Sequence, residues 1–442
     1  PPTVAERPKS VSFSAGTDID FSGARISANE LFLVTAGKGG KGGVKADLLT
    51  VVNVLEGDMR ISAGPSGGDL LIEEANFIAK KKIELEATID DIDGGHINHL
   101  GAHIMADELS ITAGGNVSVN SSVSKLTAKL KGSGNLNLEN NRSLDVLFAA
   151  VANGSITLAV HGDLVARELE TWGQKESHDL NMSLYPTTKK PFPTLTLGVL
   201  AAGGDGDVSI SGPTQIKTLK KHRVSADHID ISLDENDMST GAGSDIAIQI
   251  DSNSLELTNR SKGDIEIEQL STGGLTITSV HIVDGGLNVR SKGDVTIVNG
   301  FFHKSNKQKG LDIDSGGNIR IGNIQVDRYY DESNTGDNSA FGTVKLRARG
   351  FVTEHGDDAE VDLVADSLFV VADKGFYGLE VALNEIESIH SSEGDIEISD
   401  RDSVGETAAG LLVKNVRADI GSVTITADES LEVRGLWVGS GG

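Results

Sequence analysis

Apolar and polar residues alternate in short stretches that return along most of the chain. The clearest stretch, residues 260–267, reads RSKGDIEI, and residues 290–297 repeat it as RSKGDVTI. Each copy contains a glycine that can turn the chain and a short polar residue that can hydrogen-bond to its own backbone. Two β-branched residues then alternate with another residue, so that one face of the segment is apolar. The pattern predicts a turn followed by a short strand of three to five residues that buries one face.

Weaker copies of this unit occur in two versions. The first starts with glycine followed by aspartate, asparagine or serine, and the second starts with alanine followed by aspartate or asparagine. The glycine version starts at Gly57, Gly68, Gly115, Gly134, Gly206, Gly317, Gly394 and Gly421, and the alanine version at Ala28, Ala106, Ala226, Ala365 and Ala427. In the best-preserved region the predicted inward-facing pairs are Leu255/Leu257, Ile265/Ile267, Leu275/Ile277, Leu287/Val289 and Val295/Ile297.

Short strands at this spacing could form either hairpins or the faces of a solenoid. Hairpin dipeptides are sparse, near-identical units return after two or three strands, and no interval near one hundred residues marks a sandwich boundary. We therefore predict an all-β fold, a parallel β-solenoid (β-helix) that continues over residues 1–442 as a single elongated rod. Coils of ~20–30 residues would give roughly 15–22 rungs. Stacking would bury columns of isoleucine, valine and leucine that one coil cannot bury alone.

Two stretches break this rhythm. Residues 170–194 contain Trp172, Tyr185 and three of the eight prolines, and residues 327–341 contain Tyr329 and Tyr330 within a polar run. Both are predicted to be loop insertions extruded from a coil. Long loops on a regular scaffold are often functional, so the four aromatic residues are candidates for partner binding. The alternative is an insertion that the edge of a solenoid tolerates.

Two shorter basic segments, residues 217–223 and 303–309, stand out from the acidic background and are predicted to be exposed turns. The sharper alternative is that they bind an acidic glycan or partner.

The composition narrows the classes of function. The 442 residues carry a net charge of −26, so nucleic acid and anionic membranes should be repelled, and neither is a predicted partner. There is no cysteine, which excludes disulfides and thiolate chemistry. The longest apolar run, residues 146–152, is far shorter than the ~20 residues of a membrane span, and no signal peptide opens the chain. This composition is compatible with an exported bacterial protein.

The densest cluster of possible metal ligands is Asp90, Asp91, Asp93, His96 and His99. Histidines three residues apart could share a helical face and bind zinc with the aspartates. The paired glycines between them disfavour a helix, and on a strand His96 and His99 would face opposite sides. The sequence therefore favours strand units joined by a glycine turn over a metal site at these residues.

Aspartate pairs suggest calcium, but they lack the nonapeptide repeat of calcium-binding β-rolls, so solvated turns explain them better. The pairs are Asp18/Asp20, Asp205/Asp207 and Asp312/Asp314. No residue stands out as catalytic. No cofactor is predicted, and calcium is the alternative that stays open.

Units such as Gly206-Asp207-Val208-Ser209-Ile210 and Ala106-Asp107-Glu108-Leu109-Ser110-Ile111 resemble the repeats of filamentous-haemagglutinin-like adhesins. Those are large secreted bacterial β-helix proteins. The resemblance implies an extracellular rod used for adhesion, matrix building or display of a distal effector, and it implies no catalytic residues. The asparagine-rich secretion domain of that family is not recognisable in this chain.

The sequence therefore predicts a non-enzymatic structural or adhesive protein, located outside the cell or on a bacterial cell surface. The alternative is a carbohydrate-active β-helix enzyme, either a polysaccharide lyase or a glycosidase. Neither end looks capped, because the strand at residues 431–433 is followed only by a short tail. We therefore expect either a segment of a longer protein or a subunit that pairs with itself end to end. A cell-surface glycan or protein is a further expected partner.

Overall fold

The fold is all-β, which confirms the predicted fold class. The chain forms a parallel β-solenoid of about 15 turns, and no helix occurs in the part of the chain that is described. Accordingly, that part contains no helix long and apolar enough to cross a membrane. The computed structural model describes residues 8–37, 42–46, 50–63, 68–73, 75–87, 97–173, 178–234, 245–303, 310–326, 342–356, 360–401 and 410–439.

Two compact units make up the chain, residues 1–227 (unit 1) and residues 228–442 (unit 2). Within unit 1 all pairings between the named strands are parallel, as a solenoid requires. Its strands are β1 (Ser10–Ser14), β2 (Ile19–Asp20), β3 (Arg25–Ala28), β4 (Leu31–Thr35), β5 (Val44–Ala46), β6 (Val51–Val54), β7 (Asp58–Ser62), β8 (Leu70–Glu73), β9 (Asn76–Ala79), β10 (Lys82–Ala87), β11 (Ile97–Ala113), β12 (Val117–Ser133), β13 (Leu136–Asn140), β14 (Leu144–Asn153), β15 (Ile156–His161), β16 (Leu164–Thr171), β17 (Leu180–Tyr185), β18 (Thr194–Ala201), β19 (Val208–Ser211) and β20 (Gln215–Ser225).

The first coils of unit 1 have three short strands each, and the later coils have two. The change occurs at β11, whose 17 residues pair with β8, β9 and β10 of the preceding coil. From there on, β13, β15, β17 and β19 form one column of strands, and β14, β16, β18 and β20 form the other. Strands of this length were not expected. β11 shifts register between His99 and Ile104, beside Gly101, and its pairing continues on the far side of the shift.

Unit 2 is built in the same way. One column contains β22, β24, β26, β28, β30 and β32, and the other contains β21, β23, β25, β27, β29 and β31. The strands are β21 (His228–Leu233), β22 (Ile246–Asp251), β23 (Ser254–Lys262), β24 (Ile265–Gln269), β25 (Leu275–Asp284), β26 (Leu287–Ser291), β27 (Val295–Phe302), β28 (Leu311–Ser315), β29 (Ile319–Val326), β30 (Thr343–Ala348), β31 (Val352–Glu354), β32 (Leu363–Ala372), β33 (Phe376–Ser391), β34 (Ile396–Asp400), β35 (Leu411–Val413), β36 (Val416–Ala418), β37 (Val423–Ala427), β38 (Leu431–Val433) and β39 (Leu436–Val438).

The core of each unit consists of apolar columns that run from coil to coil. In unit 2, Ile246, Ile265, Leu287, Leu311 and Val344 are register partners in successive coils, and none is more than 3% exposed. Each contact between neighbours along such a column buries surface that a single coil would leave in water. All five inward-facing pairs predicted for residues 255–297 are buried, which confirms that part of the sequence interpretation.

Corners between strands are fastened by polar side chains that reach the next coil. In unit 1 the Asn116 Oδ1 accepts a hydrogen bond from the Asn135 amide (2.8 Å), and the Asn135 Oδ1 accepts one from the Ser155 amide (2.9 Å). The Ser155 hydroxyl in turn accepts one from the Asp179 amide (3.0 Å). The prediction that these residues bond to their own backbone is wrong for this set, because stacking places the equivalent amide of the next coil beside each side chain. We call such a series a corner ladder.

The preceding glycines make this close stacking possible. A Cβ atom added to Gly134 would lie 2.4 Å from the carbonyl carbon of Gly115 in the coil below. The corner glycine is therefore needed for the approach of two backbones as well as for the turn.

Residues 170–194 are not a loop throughout, contrary to the sequence prediction. They contain β17, in which Leu180, Met182 and Leu184 alternate inward and are at most 2% exposed. This strand continues the column between β15 and β19. Among the described residues of this stretch, the segment between β17 and β18 is a loop, and it includes a turn closed by Thr187 and Lys190. Residues 327–341, the other predicted insertion, lie outside the described residues.

The basic segment 217–223 is exposed at Lys217, Lys220, Lys221 and Arg223, as predicted, but it is part of β20, so its assignment to a turn is wrong. Leu197 pairs with Thr218 and Val199 pairs with Arg223, so four residues of β20 lie opposite a single residue of β18. The segment is therefore a wide bulge within a strand. Of the other basic segment, only His303 is described.

Candidate functional site

The predicted metal ligands cannot be assembled into a site. Asp90, Asp91, Asp93 and His96 lie outside the described residues. His99 belongs to β11, where its backbone is the register partner of Ile72 and Val119, and its side chain is outside the described part. The zinc hypothesis stays a prediction.

The two described aromatic candidates are exposed but lie in different strand columns. Trp172 follows β16 and is 47% exposed, whereas Tyr185 ends β17 and is 45% exposed. Tyr185 stacks on His161 of the coil below, with ring centroids 5.1 Å apart. The structure therefore does not bring the two candidates into one strand column. Tyr329 and Tyr330 lie outside the described residues.

Asp18, Asp20 and Asp312, one or both members of two of the aspartate pairs that suggested calcium, have partners within the protein. The Asp18 Oδ1 accepts a hydrogen bond from the Gly43 amide of the next coil. Asp20 accepts one from the Ser22 amide, and hydrogen bonds from Ser22 hold the pKa of the Asp20 carboxyl below its usual value. Asp312 forms an ion pair with Arg347 at 2.7 Å. These carboxylates stabilise turns, a corner and an ion pair.

Three carboxylates that the sequence did not single out converge in unit 2. Glu354 ends β31, Asp362 precedes β32, and Glu380 lies within β33 of the next coil. Glu354 and Asp362 both lie over β29, because β31 and the start of β32 pair with that strand. Above them, the bulge at residues 377–378 places two residues of β33 opposite one of β34, and Gly378 supplies the positive φ of 78°.

One ligand oxygen from each of these carboxylates lies within 4.8 Å of the others. Asp362 is 6% exposed, and the Oε2 atom of Glu380 is buried and accepts no hydrogen bond in the described structure. The Arg401 Nη2 atom lies 3.8 Å from the other Glu380 oxygen. Calcium binds oxygen ligands at roughly 2.3–2.6 Å, so oxygens on one ion lie within about 5 Å of each other. The arrangement could accommodate a calcium ion.

A polar groove of about 390 Å³ crosses successive coils of unit 2. It runs along the starts of β22, β24, β26, β28 and β30. Two of its carboxylates are paired with arginines, Glu266 with Arg290 at 2.9 Å and Asp312 with Arg347 at 2.7 Å. The polar side chains along it are Asp245, Asp264, Glu266, Asn288, Asp312 and Lys345.

These features define the class of protein: a parallel β-solenoid repeat protein with stacked apolar columns and hydrogen-bonded corners. Comparisons with protein-family models, with curated proteins and with solved structures find no significant match to this chain. The resemblance to filamentous-haemagglutinin-like repeats is therefore one of repeat architecture, and membership of that family stays a prediction.

Proposed function

We propose that this chain is a non-enzymatic structural or adhesive β-solenoid, a segment or subunit of a fibre outside the cell or on a bacterial surface. The observation that carries the proposal is the repetition of the same columns and corner bonds from coil to coil within each unit. Such repetition gives an extended, stiff scaffold whose outward positions are free to vary. Along these outward positions, ion pairs such as Arg167–Asp145 link neighbouring coils.

The last described coil of unit 2 presents an edge that suits a further coil. Leu431 and Leu436 are 42% and 55% exposed, whereas their register partners in the coil below, Leu411 and Val416, are at most 1% exposed. Another parallel coil would bury these side chains and pair the outer backbone groups of β37, β38 and β39. We propose that a second copy of the chain supplies this coil, so that copies pair end to end.

Sedimentation and electron microscopy over a concentration series test this pairing. We expect fibres from the wild-type chain and monomers from Leu436→Lys, because a lysine on the pairing face opposes a dry contact. Thr424→Lys is the matched control, since Thr424 faces outward in the same coil, and it should assemble like the wild type. Isolated wild-type monomers at high concentration would overturn the end-to-end proposal.

A carbohydrate-active enzyme is the second candidate, and the groove of unit 2 is the observation that favours it. Several carboxylates lie along one open surface, as cleavage of a polysaccharide would require. A reducing-sugar assay with acidic and neutral polysaccharides separates the two proposals. We expect no release of sugar, and turnover abolished by Asp264→Asn and Glu266→Gln would replace the structural proposal with the enzymatic one.

A further inference from the structure

We infer that the groove of unit 2 is a binding site for a neutral linear glycan. This inference rests on the adhesive function proposed above and names a ligand class for it. The groove is an open trough across five coils, so it suits the side of a chain rather than a small molecule enclosed on all sides.

The direction of the groove disfavours a peptide. It crosses β22, β24, β26, β28 and β30 one after another, so its lining repeats once per coil, at the ~4.8 Å spacing of neighbouring strands. An extended peptide advances only ~3.3 Å per residue and would fall out of step with that repeat. The strand backbones are also already paired with their neighbours along the column, so they cannot pair with a peptide lying across them. A chain of pyranose rings has a longer repeat that is closer to one ring per coil.

The chemistry of the lining fits hydroxyl groups. Carboxylates accept hydrogen bonds from hydroxyls, and the Asn288 amide and the Lys345 ammonium donate to them. Sugar hydroxyls do both, so the acceptors and the donors along the groove can each be satisfied.

The floor of the groove is kept low by small residues. Ala247 is exposed on its surface, and a Cβ atom added to Gly310 would lie 2.6 Å from the Thr343 carbonyl oxygen. A polymer chain can therefore lie close to the backbone.

The charges select against a charged polymer. Arg290 and Arg347 pair with the lining residues Glu266 and Asp312, and the lining also contains Asp245, Asp264 and Lys345, so both signs of charge occur along the groove. No uniform charge is present to attract a polyanion or a polycation. The net charge of −26 on the whole chain further opposes polyuronates.

Isothermal titration of the full chain with defined hexamers tests the inference. The neutral probes are cellohexaose, xylohexaose and mannohexaose, and the charged probes are hexagalacturonate and hexalysine. Ala247→Trp should fill the groove and weaken binding of the neutral probe at least about tenfold, by steric exclusion. Ala159→Trp is the matched control, because Ala159 is an outward-facing alanine on a short strand of unit 1. Its affinity should stay within about twofold of the wild type.

A second variant guards against misfolding. Asn288→Leu replaces the amide by two methyl groups with the same branching, so it removes the polar group and should also weaken binding, while circular dichroism shows unchanged strand content. The inference is overturned if no neutral hexamer binds at millimolar concentration, if a charged hexamer binds more tightly than every neutral one, or if Ala159→Trp weakens binding as much as Ala247→Trp. Fibres without glycan binding would refute only this inference, and glycan binding without fibres would refute only the end-to-end proposal.

Discussion

The corner ladders contain two kinds of acceptor in the same geometry. In unit 1 the acceptors Asn116, Asn135 and Ser155 are uncharged, at 2.8–3.0 Å from the amides of the next coil, and Asp179 continues the same ladder with a carboxylate at 3.1 Å. In unit 2 the acceptors Asp294 and Asp395 are carboxylates, at 2.8 and 2.7 Å. The position requires only a short side chain with an acceptor oxygen. Which acceptor is present decides whether the corner responds to pH.

The largest effects should come from what both units share, the apolar columns. Ile267→Asp in unit 2 and Leu138→Asp in unit 1 each place a carboxylate at a position that is at most 2% exposed. We expect each to lower the free energy of unfolding of its unit by about 3–5 kcal/mol, because the charge has no partner there. Thermal melts followed by circular dichroism measure the loss. An unchanged melting temperature for either variant would show that the assignment of that residue to the inward face is wrong.

The cluster of Glu354, Asp362 and Glu380 also brings carboxylates close together in unit 2. Removing one of these charges should stabilise the folded unit. In chelator, Glu380→Gln should raise the free energy of unfolding by on the order of 1 kcal/mol, since a buried oxygen that accepts no hydrogen bond is costly. Glu397→Gln, at an exposed position of β34, is the control. A lower melting temperature for Glu380→Gln would contradict this account. If added calcium makes the wild type more stable than Glu380→Gln, the cluster binds calcium.

Removing single acceptors compares the ladders directly. Asn135→Ala should cost its unit about 1 kcal/mol, the typical net value of a hydrogen bond. Asp294→Ala should cost somewhat more, because its carboxylate also accepts hydrogen bonds from the Asn318 and Arg320 side chains. Hydrogen exchange of the Asn135, Ser155 and Asn318 amides locates each loss. If neither Asn135→Ala nor Asp294→Ala changes the free energy of unfolding, the ladders add nothing to the stability that coil stacking provides.

Acid should selectively weaken the corners whose acceptor is a carboxylate. Hydrogen bonds from the Asn318 amide lower the pKa of Asp294, and hydrogen bonds from the Ser422 amide and hydroxyl lower the pKa of Asp395. A carboxyl with a lowered pKa in the folded state stabilises that state above its ordinary pKa of 3.8, and this contribution is lost as the pH falls through the folded pKa.

Hydrogen exchange at pH 7 and pH 3, corrected for intrinsic rates, measures this difference. The Asn318 and Ser422 amides should lose protection in acid, while the Asn135 and Ser155 amides keep theirs. Asp294→Asn should remove the pH response at Asn318. Equal losses at corners with carboxylate and with neutral acceptors would contradict the distinction between the two kinds of corner.

Much of the fold follows from local sequence, because alternation with a period of two assigns each residue to one face. That is why Ile265 and Ile267 were placed correctly. The sequence prediction did not include β17. A tryptophan and three prolines flank this strand and indicated a loop, although Leu180, Met182 and Leu184 alternate as in the other strands.

Contacts between coils could not be predicted. The Asn116 side chain bonds to an amide 19 residues away, whereas that of Asn318 bonds to one 33 residues away, because loops change the length of each coil. The carboxylate cluster has the same origin, since only stacking brings Glu354, Asp362 and Glu380 together.

The register of the coils is the central claim, and paired cysteines test it most directly because the chain has none of its own. Thr276 and Thr296 are register partners in adjacent coils of unit 2, and Ala159 and Ser183 are partners in unit 1. Neighbouring strands lie ~4.8 Å apart, within the range that a disulfide spans. Cysteines at either pair should form a disulfide rapidly under mild oxidation. Pairs shifted by two residues, Thr276→Cys with Val298→Cys and Ala159→Cys with Asn181→Cys, should form it far more slowly. Equal rates for matched and shifted pairs would contradict the stacked-coil structure.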